Sequence, residues 1–494
     1  MALFKKHQPI EKSQLLFSHG DLWKIFIPMM LQQVLNVTVG TVDSMMVSSA
    51  GEAAVSGVSL INTLDTLLII FFTAMVSGGS VVVAQALGRK NRDDICESAK
   101  QLMYIVTALA TLLTTVVLLL RRPLLSLLFG DVAPDVMENA QGYFFFVALS
   151  FPLLAIIESA GACFRASGHT MISLLVSISI NIMNVIGNAV LIYGFDMGAA
   201  GAAIATTVAR LCGAVILLIL IHQKRYEVHV ERLLRYKPDF SIIKRILHIG
   251  VPHGIENAMF QFGRLLTQTL ISTMGTAVIA ANAVALTVSN FQYMVGTACS
   301  VTMVTVVGRC IGAGDERQAK YYSRILLGLN YLVLWIVILG TAIFLGPLVG
   351  AYDLSGESAE LAKQLILYHA VCAAVVWPVG FMLPSAFRAA SDVRFSLVVS
   401  MATMWIFRVA GGYVMALDSV SAFGLFTIPG LGMGVMGVWV AMTVDWLFRF
   451  SLFLWRYLSG SWLRARLSPE ERRARRAQKK AQAEKREQPA LVEK

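Results

Sequence analysis

Long uninterrupted blocks of uncharged, mostly apolar residues are the feature that most restricts what this chain can fold into. Leu102–Leu120, Thr170–Phe195 and Thr276–Gly308 contain no Asp, Glu, Lys or Arg, and neither do Ile325–Tyr352 and Gln364–Phe387. A run of about 18 such residues is long enough to cross the hydrocarbon core of a bilayer as a helix. Only 14% of the 494 residues are charged, whereas soluble domains carry roughly 25%. The chain is therefore predicted to be a multi-pass membrane protein, and a soluble enzyme is excluded.

The apolar blocks, separated by short charged or glycine-rich connections, predict twelve transmembrane helices. The six spans of the first half are expected at 22–49, 55–87, 95–120, 138–162, 170–194 and 199–222. The six spans of the second half are expected at 244–274, 279–311, 320–350, 361–387, 394–417 and 431–457. The predicted fold class is an all-α membrane protein with two six-helix lobes.

Basic residues are concentrated in every second connection between the predicted spans. The basic connections are the N-terminal segment, 89–92, 163–169, 224–237, 317–320, 388–394 and the C-terminal tail. The connections without Lys or Arg are 48–56, 194–201, 275–281 and 418–430. Arg121, Arg122 and Lys363 are exceptions to the alternation. Because positive charge marks the cytoplasmic side, we expect a cell (inner) membrane protein with both termini in the cytoplasm.

The second half of the chain repeats the first at an offset of 224 residues, which slips by one at Phe164 and Phe387 and again at Met197 and Met433. The matched pairs include Pro28 with Pro252, Gly51 with Gly275, Gly88 with Gly312 and Pro123 with Pro347. Since each repeat has an even number of spans, both enter the membrane in the same direction, and a pseudo-two-fold axis along the membrane normal relates them. Two such lobes facing each other are typical of a secondary transporter. The chain has no GxxxxGK[ST] phosphate loop, so active transport would need an ion gradient.

Five segments follow from the spans and the charge distribution. They are a cytoplasmic N-terminal segment (1–20), an N-lobe (21–223), a cytoplasmic linker (224–243), a C-lobe (244–458) and a basic cytoplasmic tail (459–494). From Arg464 onward the tail has eleven Lys or Arg and five Asp or Glu. We interpret it as a solvated segment near anionic lipid headgroups, and not as a nucleic-acid-binding arm.

Several short segments together resemble the multidrug and toxic compound extrusion (MATE) family over about residues 20–460. The segments are Ile27-Pro28, Val42-Asp43, Ala50-Gly51, Ala84–Gly88, Phe164–Thr170, Asn181–Asn188 and Gly198–Thr206. The resemblance implies an exporter that exchanges Na⁺ or H⁺ for bulky, often cationic, organic molecules. Its partners would be a small organic substrate and the lipid bilayer. We expect a monomer without enzymatic activity, resident cofactor or nucleic-acid partner.

One branch of that family has an ion site in the N-lobe, and this sequence matches most of its pattern. Asp43 follows Pro28 by fifteen residues, Asn184 matches the asparagine of an Asn-x-x-x-Asp motif, and Thr206 matches a threonine of the sixth span. Asn188 stands where the motif has its second acid. The resemblance implies an H⁺ or Na⁺ site at Asp43, Asn184, Asn188 and Thr206 with one carboxylate.

The depth of these residues supports the same grouping. Counted from the predicted outer ends of their spans at about 1.5 Å per residue, Asp43, Asn188 and Thr206 lie roughly 9–12 Å below the outer surface. An acid within the hydrocarbon region is a functional candidate, although permanent hydrogen bonding to neighbouring amides is the alternative. Pro28 removes a helical hydrogen bond and is a candidate hinge, with plain packing as the alternative.

A stripe of polar residues marks the seventh span. Asn257, Gln261, Arg264 and Gln268 fall on one helical face, and Glu256 lies near the middle of the membrane. Such a face should contact water or protein and not lipid. We assign Glu256, Asn257, Gln261 and Arg264 to a substrate cavity, with an ion pair as the alternative role of Glu256.

Other charges within the spans give further predictions. Asp65 of the second span is a further candidate for the substrate cavity, whereas Glu158 with Arg210 and Asp445 with Arg449 are interpreted as structural ion pairs. The main functional hypothesis is a cation-coupled exporter of bulky organic, in particular cationic, compounds. A flippase for a lipid-linked sugar precursor is the alternative, because it predicts a basic cavity and the spans contain several arginines.

Overall fold

A computed structural model of the chain describes residues 11, 14–130, 132–231, 237–422 and 426–464. Most of the predicted basic tail, residues 465–494, lies outside the described residues. All structural statements below concern the described part of the chain.

Six helical segments form the first half. Their helices are α1 (His19–Ser48), α2 (Glu52–Arg89), α3 (Arg92–Phe129), α4 (Pro134–Leu149), α5 (Phe151–Ala166), α6 (Thr170–Asn188) and α7 (Gly198–Ile221). The helices α4 and α5 form one segment that bends by 42°. The helix α6 continues into a π-helical turn, Ala189–Gly194.

The second half repeats this arrangement. Its helices are α8 (Phe240–Ser272), α9 (Thr276–Gly312), α10 (Glu316–Ile343), α11 (Leu345–Gly350), α12 (Gly356–Trp377), α13 (Leu383–Ala389), α14 (Val393–Thr403), α15 (Gly411–Ala416) and α16 (Gly434–Leu458). The π-helical turns Pro378–Met382 and Met404–Ala410 join α12 to α13 and α14 to α15. A hairpin of β1 (Ser419–Ala422) and β2 (Phe426–Pro429) lies before α16, with Ser419 opposite Pro429.

The all-α fold class is confirmed, and the longest helices, α2, α3 and α9, exceed the predicted spans by 5, 12 and 4 residues. Within the described ranges, ten helices are long and apolar enough to cross a membrane, and the bent α4–α5 pair would be an eleventh. The helix α8 is not among them, because its polar stripe lowers its mean hydropathy.

Two predicted spans are interrupted. The span expected at 138–162 bends at Ser150, where Pro152 is the second residue of α5 and has no backbone N–H to donate. The span expected at 320–350 ends as a helix at Ile343, and α11 follows as a separate short helix. The sequence predicted neither break, because hydropathy remains high through both positions.

The backbone confirms the internal repeat. Gly51 and Gly275, a matched pair of the repeat, have φ of +98° and +97°, and each precedes the second helix of its half. Gly198 and Gly434 likewise have φ of +52° and +57° at the starts of the last helices. These conformations are easily adopted only by glycine. Glycine is thus required at the same turns in both halves.

The first helix of each repeat packs against the opposite lobe at the predicted cytoplasmic end. Leu22 and Ile25 of α1 belong to a hydrophobic cluster of C-lobe residues. Ile246 and Ile249 of α8, which match them at the repeat offset, belong to the main N-lobe cluster. The predicted N-lobe (21–223) and C-lobe (244–458) therefore share a crossed core instead of packing separately.

Glycines bring the lobes into backbone contact at that same end. A Cβ atom built on Gly78 of α2 would lie 2.6 Å from the backbone nitrogen of Gly250 in α8. Gly88 and Gly312, themselves a matched pair, meet where α2 crosses α9. The lobes are thus closed at the predicted cytoplasmic end, and a cleft lies between them in the opposite half of the molecule.

Candidate ion-coupling site and substrate cavity

The four residues predicted to couple an ion form one group, called here the N-lobe polar cluster. Asp43 lies on α1, Asn184 and Asn188 lie in the last turns of α6, and Thr206 lies on α7. The Asn188 amide donates to Asp43 Oδ1 at 2.7 Å. The amide nitrogen of Asn184 lies 3.0 Å from Thr206 Oγ1. Both asparagines are buried, so the cluster is an interior polar site of the N-lobe.

The Asn184 amide has two chemically reasonable orientations. In one, its NH₂ donates to Thr206, which donates onward to the Ala202 carbonyl at 2.9 Å, and its oxygen faces Asp43 Oδ1. In the other, its NH₂ donates to Asp43 at 2.7 and 3.3 Å and its oxygen accepts from Thr206. The first orientation puts two acceptors together unless Asp43 carries a proton, whereas the second suits a carboxylate.

Local backbone geometry positions the asparagines. The α-helix ends at Asn188 and a π-helical turn begins at Ala189. Such turns are uncommon and occur frequently at functional sites. A Cβ atom on Gly187 would lie 2.9 Å from the Ala205 side chain, so glycine lets α6 approach α7 closely enough for Asn184 to reach Thr206.

Asp65 lies in the N-lobe and does not line the cavity that contains Glu256. Its Oδ1 is buried without a hydrogen-bond partner. Arg210 is an electrostatic neighbour of both Asp65 and Asp43. The structure therefore groups Asp65 with Asp43 through Arg210, whereas the sequence marks it as a candidate for the substrate cavity.

The predicted pairing of Glu158 with Arg210 is wrong. Glu158 contacts Arg165 at 3.4 Å, and Arg210 donates to Ser150 Oγ at 2.6 Å. The sequence did not suggest the pair of Glu158 with Arg165, because seven residues, or two helical turns, exceed the spacing of three or four at which ion pairs within a helix are expected.

Pro28 is buried within α1, which continues as one helix from His19 to Ser48. It lies between Phe26 and Met29, two residues of the C-lobe cluster, and fifteen residues before Asp43. Along α1, Pro28 therefore lies in the part that contacts the C-lobe, before the part that carries Asp43 in the N-lobe polar cluster. A hinge role for Pro28 stays a prediction.

Glu256, Asn257 and Arg264 line a cavity of about 290 Å³, called here the C-lobe cavity. Ser400 donates to Glu256 at 2.6 Å, and His253 Nδ1 lies 3.7 Å from the same carboxylate. Gln261 instead lines the interlobe cleft, a neighbouring space of about 520 Å³ that Arg264 also borders.

Most of the C-lobe cavity comes from residues that the polar stripe did not identify. Nine of these residues are aromatic or basic: Phe260, Tyr293, Trp377, Phe381, Trp439, Trp446, Arg388, Arg408 and Arg449. The predicted pair of Asp445 with Arg449 is present at 2.7 Å. The nine residues come from α8, α9, α12, α13, α16 and the two π-helical turns of the second half. Single aromatic and basic residues on so many elements carry no periodic signal, so only the tertiary structure groups them.

The comparisons with known proteins agree with the repeat and the fold. The MatE family model matches residues 28–190 and again 252–414. The second match begins and ends at the same offset from the first, and this is the offset that relates Pro28 to Pro252. Together the two matches cover more than half of the chain.

Relatives and solved structures give the same assignment. "Probable multidrug resistance protein NorM" of Thermotoga maritima is 26% identical over 484 residues, 95% of this chain and 98% of that protein. "Uncharacterized transporter YisQ" of Bacillus subtilis is 26% identical over 476 residues, 94% and 98% of the two chains. A structure described as MATE in the bent conformation superposes with a TM-score of 0.80 at 17% identity, covering 90% and 96%. The chain belongs to the MatE family of membrane transporters.

Proposed function

We propose that this protein is an H⁺-coupled exporter of bulky organic compounds that works by alternating access. The observation that carries the proposal is the N-lobe polar cluster, in which one half-buried carboxylate, Asp43, is held by amides from α6. The curated relatives named as multidrug resistance proteins support export of organic molecules.

The hydrogen-bond network favours a proton as the coupling ion. Protonated Asp43 would donate to the Asn184 oxygen, and ionised Asp43 would accept from the Asn184 NH₂, so both states are satisfied after rotation of one amide. That rotation also changes whether Thr206 donates to Ala202 or to Asn184. Protonation of Asp43 would thereby alter the contact between α6 and α7.

Sodium is the second candidate ion. Among the described residues, the buried side-chain oxygen of Asn188, next to Asp43, has no hydrogen-bond partner, and such an oxygen is a suitable ligand for a hard cation. A single carboxylate nonetheless offers Na⁺ less charge than the two acids of the family pattern, and the short Asn188–Asp43 hydrogen bond would have to break.

Alternating access would be transmitted through α1. The first half of this helix packs with the C-lobe, whereas Asp43 in its second half binds Asn188 of the N-lobe. Movement of one lobe relative to the other therefore acts on the Asp43 contacts. Coupling requires only that the proton and the substrate prefer different lobe arrangements.

Proteoliposomes with an imposed gradient test the proposal. We expect a pH gradient to drive uptake of a fluorescent organic substrate, and Asp43→Asn to abolish that uptake while the protein stays monodisperse. Glu138→Gln, on the exposed surface of α4, is the matched control and should leave uptake unchanged. A pH-driven uptake that is undiminished in Asp43→Asn would remove this carboxylate from coupling.

A flippase for a lipid-linked sugar is the second candidate function, because Arg264, Arg388, Arg408 and Arg449 all line the C-lobe cavity. The relatives named above favour the exporter. Translocation of a fluorescent lipid-linked sugar between leaflets, without an ion gradient and unaffected by Asp43→Asn, would instead support the flippase.

A further inference from the structure

We infer that the C-lobe cavity binds aromatic organic anions, so that this exporter carries anionic and not cationic compounds. The inference rests on the proposed export function and specifies its substrate class. It is carried by the balance of charge, the aromatic walls and the access route of one cavity.

Guanidinium groups outnumber carboxylates at the C-lobe cavity. Four arginines line it, Arg264, Arg388, Arg408 and Arg449. Only two carboxylates lie at or beside them among the described residues, Glu256 and Asp445. A surplus of positive charge at membrane depth is costly unless a counter-charge is supplied.

Both carboxylates are already committed to neighbours. Asp445 forms an ion pair with Arg449 at 2.7 Å, and its side chain is fully buried. Glu256 accepts from Ser400 at 2.6 Å and is the acidic electrostatic neighbour of Arg388. Asp445 also acts on Arg408 from a distance, but its one negative charge is already matched by Arg449. The two carboxylates therefore leave two positive charges of the cavity without a counter-charge.

Arg264 and Arg408 have no ion-pair partner among the described residues. Arg408 is only 8% exposed, and its guanidinium lies over the Phe260 ring at 5.3 Å. Arg264 makes one long contact to Gln261 Oε1 at 3.5 Å. Both residues are eight positions from the outer end of their helical segments, at Ser272 and Ala416, or about 12 Å deep. Two guanidinium groups without an ion-pair partner among the described residues, at one depth, are suited to a bound carboxylate or sulfonate.

Aromatic side chains form much of the wall of the C-lobe cavity. Tyr293, Trp377 and Phe381 stack in sequence, with ring centroids 5.1 and 5.5 Å apart. Trp446 meets Phe381 edge-on at 5.7 Å. A flat aromatic molecule can stack on such surfaces. The cavity therefore provides an apolar platform and a positive end, which together match an aromatic acid.

The two unpaired arginines lie at the entrance to the cavity. Arg264 and Arg408 line both the C-lobe cavity and the interlobe cleft. The far side of the cleft is formed by Thr63, Thr66 and Leu67 of α2, which carry no charge. A molecule entering from the cleft thus meets the two guanidinium groups first, and an organic cation is repelled there.

Two dyes that share a xanthene skeleton but differ in charge test the inference. The full-length protein in lipid nanodiscs is titrated with fluorescein, an anion, and with a rhodamine ester, a cation, and binding is followed by fluorescence anisotropy. We expect fluorescein to bind at least about tenfold more tightly, because one charge-assisted contact contributes roughly that factor. Equal affinities, or tighter binding of rhodamine, would overturn the inference.

Substitutions at the entrance locate the binding site. Arg264→Gln and Arg408→Gln should each weaken fluorescein binding about tenfold, and Arg264→Lys should retain part of the affinity. Arg264→Glu should reverse the preference toward rhodamine. The control is Arg121→Gln, since Arg121 also lies over a phenylalanine ring, Phe145 at 5.0 Å, but in the N-lobe. Unchanged fluorescein affinity in folded Arg264→Gln and Arg264→Glu would contradict the assignment.

Binding and coupling are measured separately. Asp43→Asn should bind fluorescein like the parent protein and lose only gradient-driven transport. Anionic and zwitterionic nanodiscs distinguish a free aromatic acid from a lipid headgroup: equal fluorescein affinity in both supports the free acid, whereas its loss in the anionic nanodiscs assigns the cavity to lipid and overturns the inference.

Discussion

Asn188 is the position where this chain departs from the family's ion-site pattern, and it is the most direct residue for testing the choice of ion. We expect Asn188→Asp to add Na⁺-driven uptake in proteoliposomes, because a second carboxylate would then face the ion beside Asp43. Asn188→Ala is the matched control and should add none. If uptake by the folded Asn188→Asp variant does not respond to a sodium gradient, the choice of coupling ion does not depend on this residue.

The buried pair of Asp445 and Arg449 gives a stability prediction. Their side chains are 0% and 4% exposed, so Arg449→Leu leaves a buried carboxylate without its partner. We expect the free energy of unfolding to fall by about 3–5 kcal/mol. Thermal unfolding in detergent should show a clear loss for the single variant.

Neutralising the remaining acid provides the control for that measurement. In the Arg449→Leu background, Asp445→Asn should recover more than half of the lost stability. No recovery would indicate that Arg449 acts through its hydrogen bond to the Ser400 carbonyl, at 2.9 Å, and not through charge.

Residue types and spacing predicted the members of the N-lobe polar cluster but not their contacts. The family resemblance implied Asp43, Asn184, Asn188 and Thr206, and the counted depth supported Asp43, Asn188 and Thr206. The choice of partner was less secure, since Glu158 pairs with Arg165 and not with Arg210. Several side chains lie within reach of a charged group, and only the packed arrangement selects among them.

At the scale of helices, glycine determines how closely α2 and α8 approach. A Cβ on Gly78 would lie 2.6 Å from Gly250 N and 2.7 Å from the Ile246 carbonyl. We expect Gly78→Ala to destabilise the protein by about 1–3 kcal/mol through overpacking. Thermal unfolding measures the change.

Gly328 of α10 is the matched control, because a Cβ there would meet nothing within 4 Å. Gly328→Ala should be neutral or stabilise by about 0.5–1 kcal/mol, since alanine is the better helix former. Equal effects at the two positions would show that the approach of α2 to α8 does not depend on glycine.

The two lobes share a backbone plan but have diverged in charge. The repeat offset places Arg408 at or next to the position that matches Asn184. Asn184 lies in α6, before the π-helical turn Ala189–Gly194, whereas Arg408 lies within the π-helical turn Met404–Ala410. The fifth span of each half thus presents amides to a carboxylate in the N-lobe and a guanidinium to a cavity in the C-lobe.

At the scale of the whole molecule, the proposed alternating access requires the closed end, which is predicted to be cytoplasmic, to open during transport. The Gln85 amide of α2 donates to the Ala389 carbonyl at 2.8 Å and to Ser391 Oγ at 3.3 Å, across the two lobes. A disulfide between Gln85→Cys and Ser391→Cys should hold this end shut and stop transport under oxidising conditions. Reduction should restore transport.

The controls for this crosslink are the two single substitutions, Gln85→Cys and Ser391→Cys. They are needed because the oxidant can also act on the six native cysteines. Both should transport equally with and without oxidant. Full transport by the oxidised double variant, with the crosslink verified by mass spectrometry, would show that this contact persists throughout the cycle.

The sequence alone determined the membrane class, the repeat and the members of the N-lobe polar cluster. Uncharged runs, turn glycines and motif spacing are local features of the chain. The bilayer requires apolar helices of sufficient length, and the backbone requires glycine at particular turns, so these features can be recognised in the sequence. The tertiary structure alone decided that α1 and α8 pack on opposite lobes and that arginines and aromatic residues meet in one cavity. Those arrangements bring together side chains that are distant in sequence, so hydropathy and periodicity, which describe short windows of the chain, do not predict them.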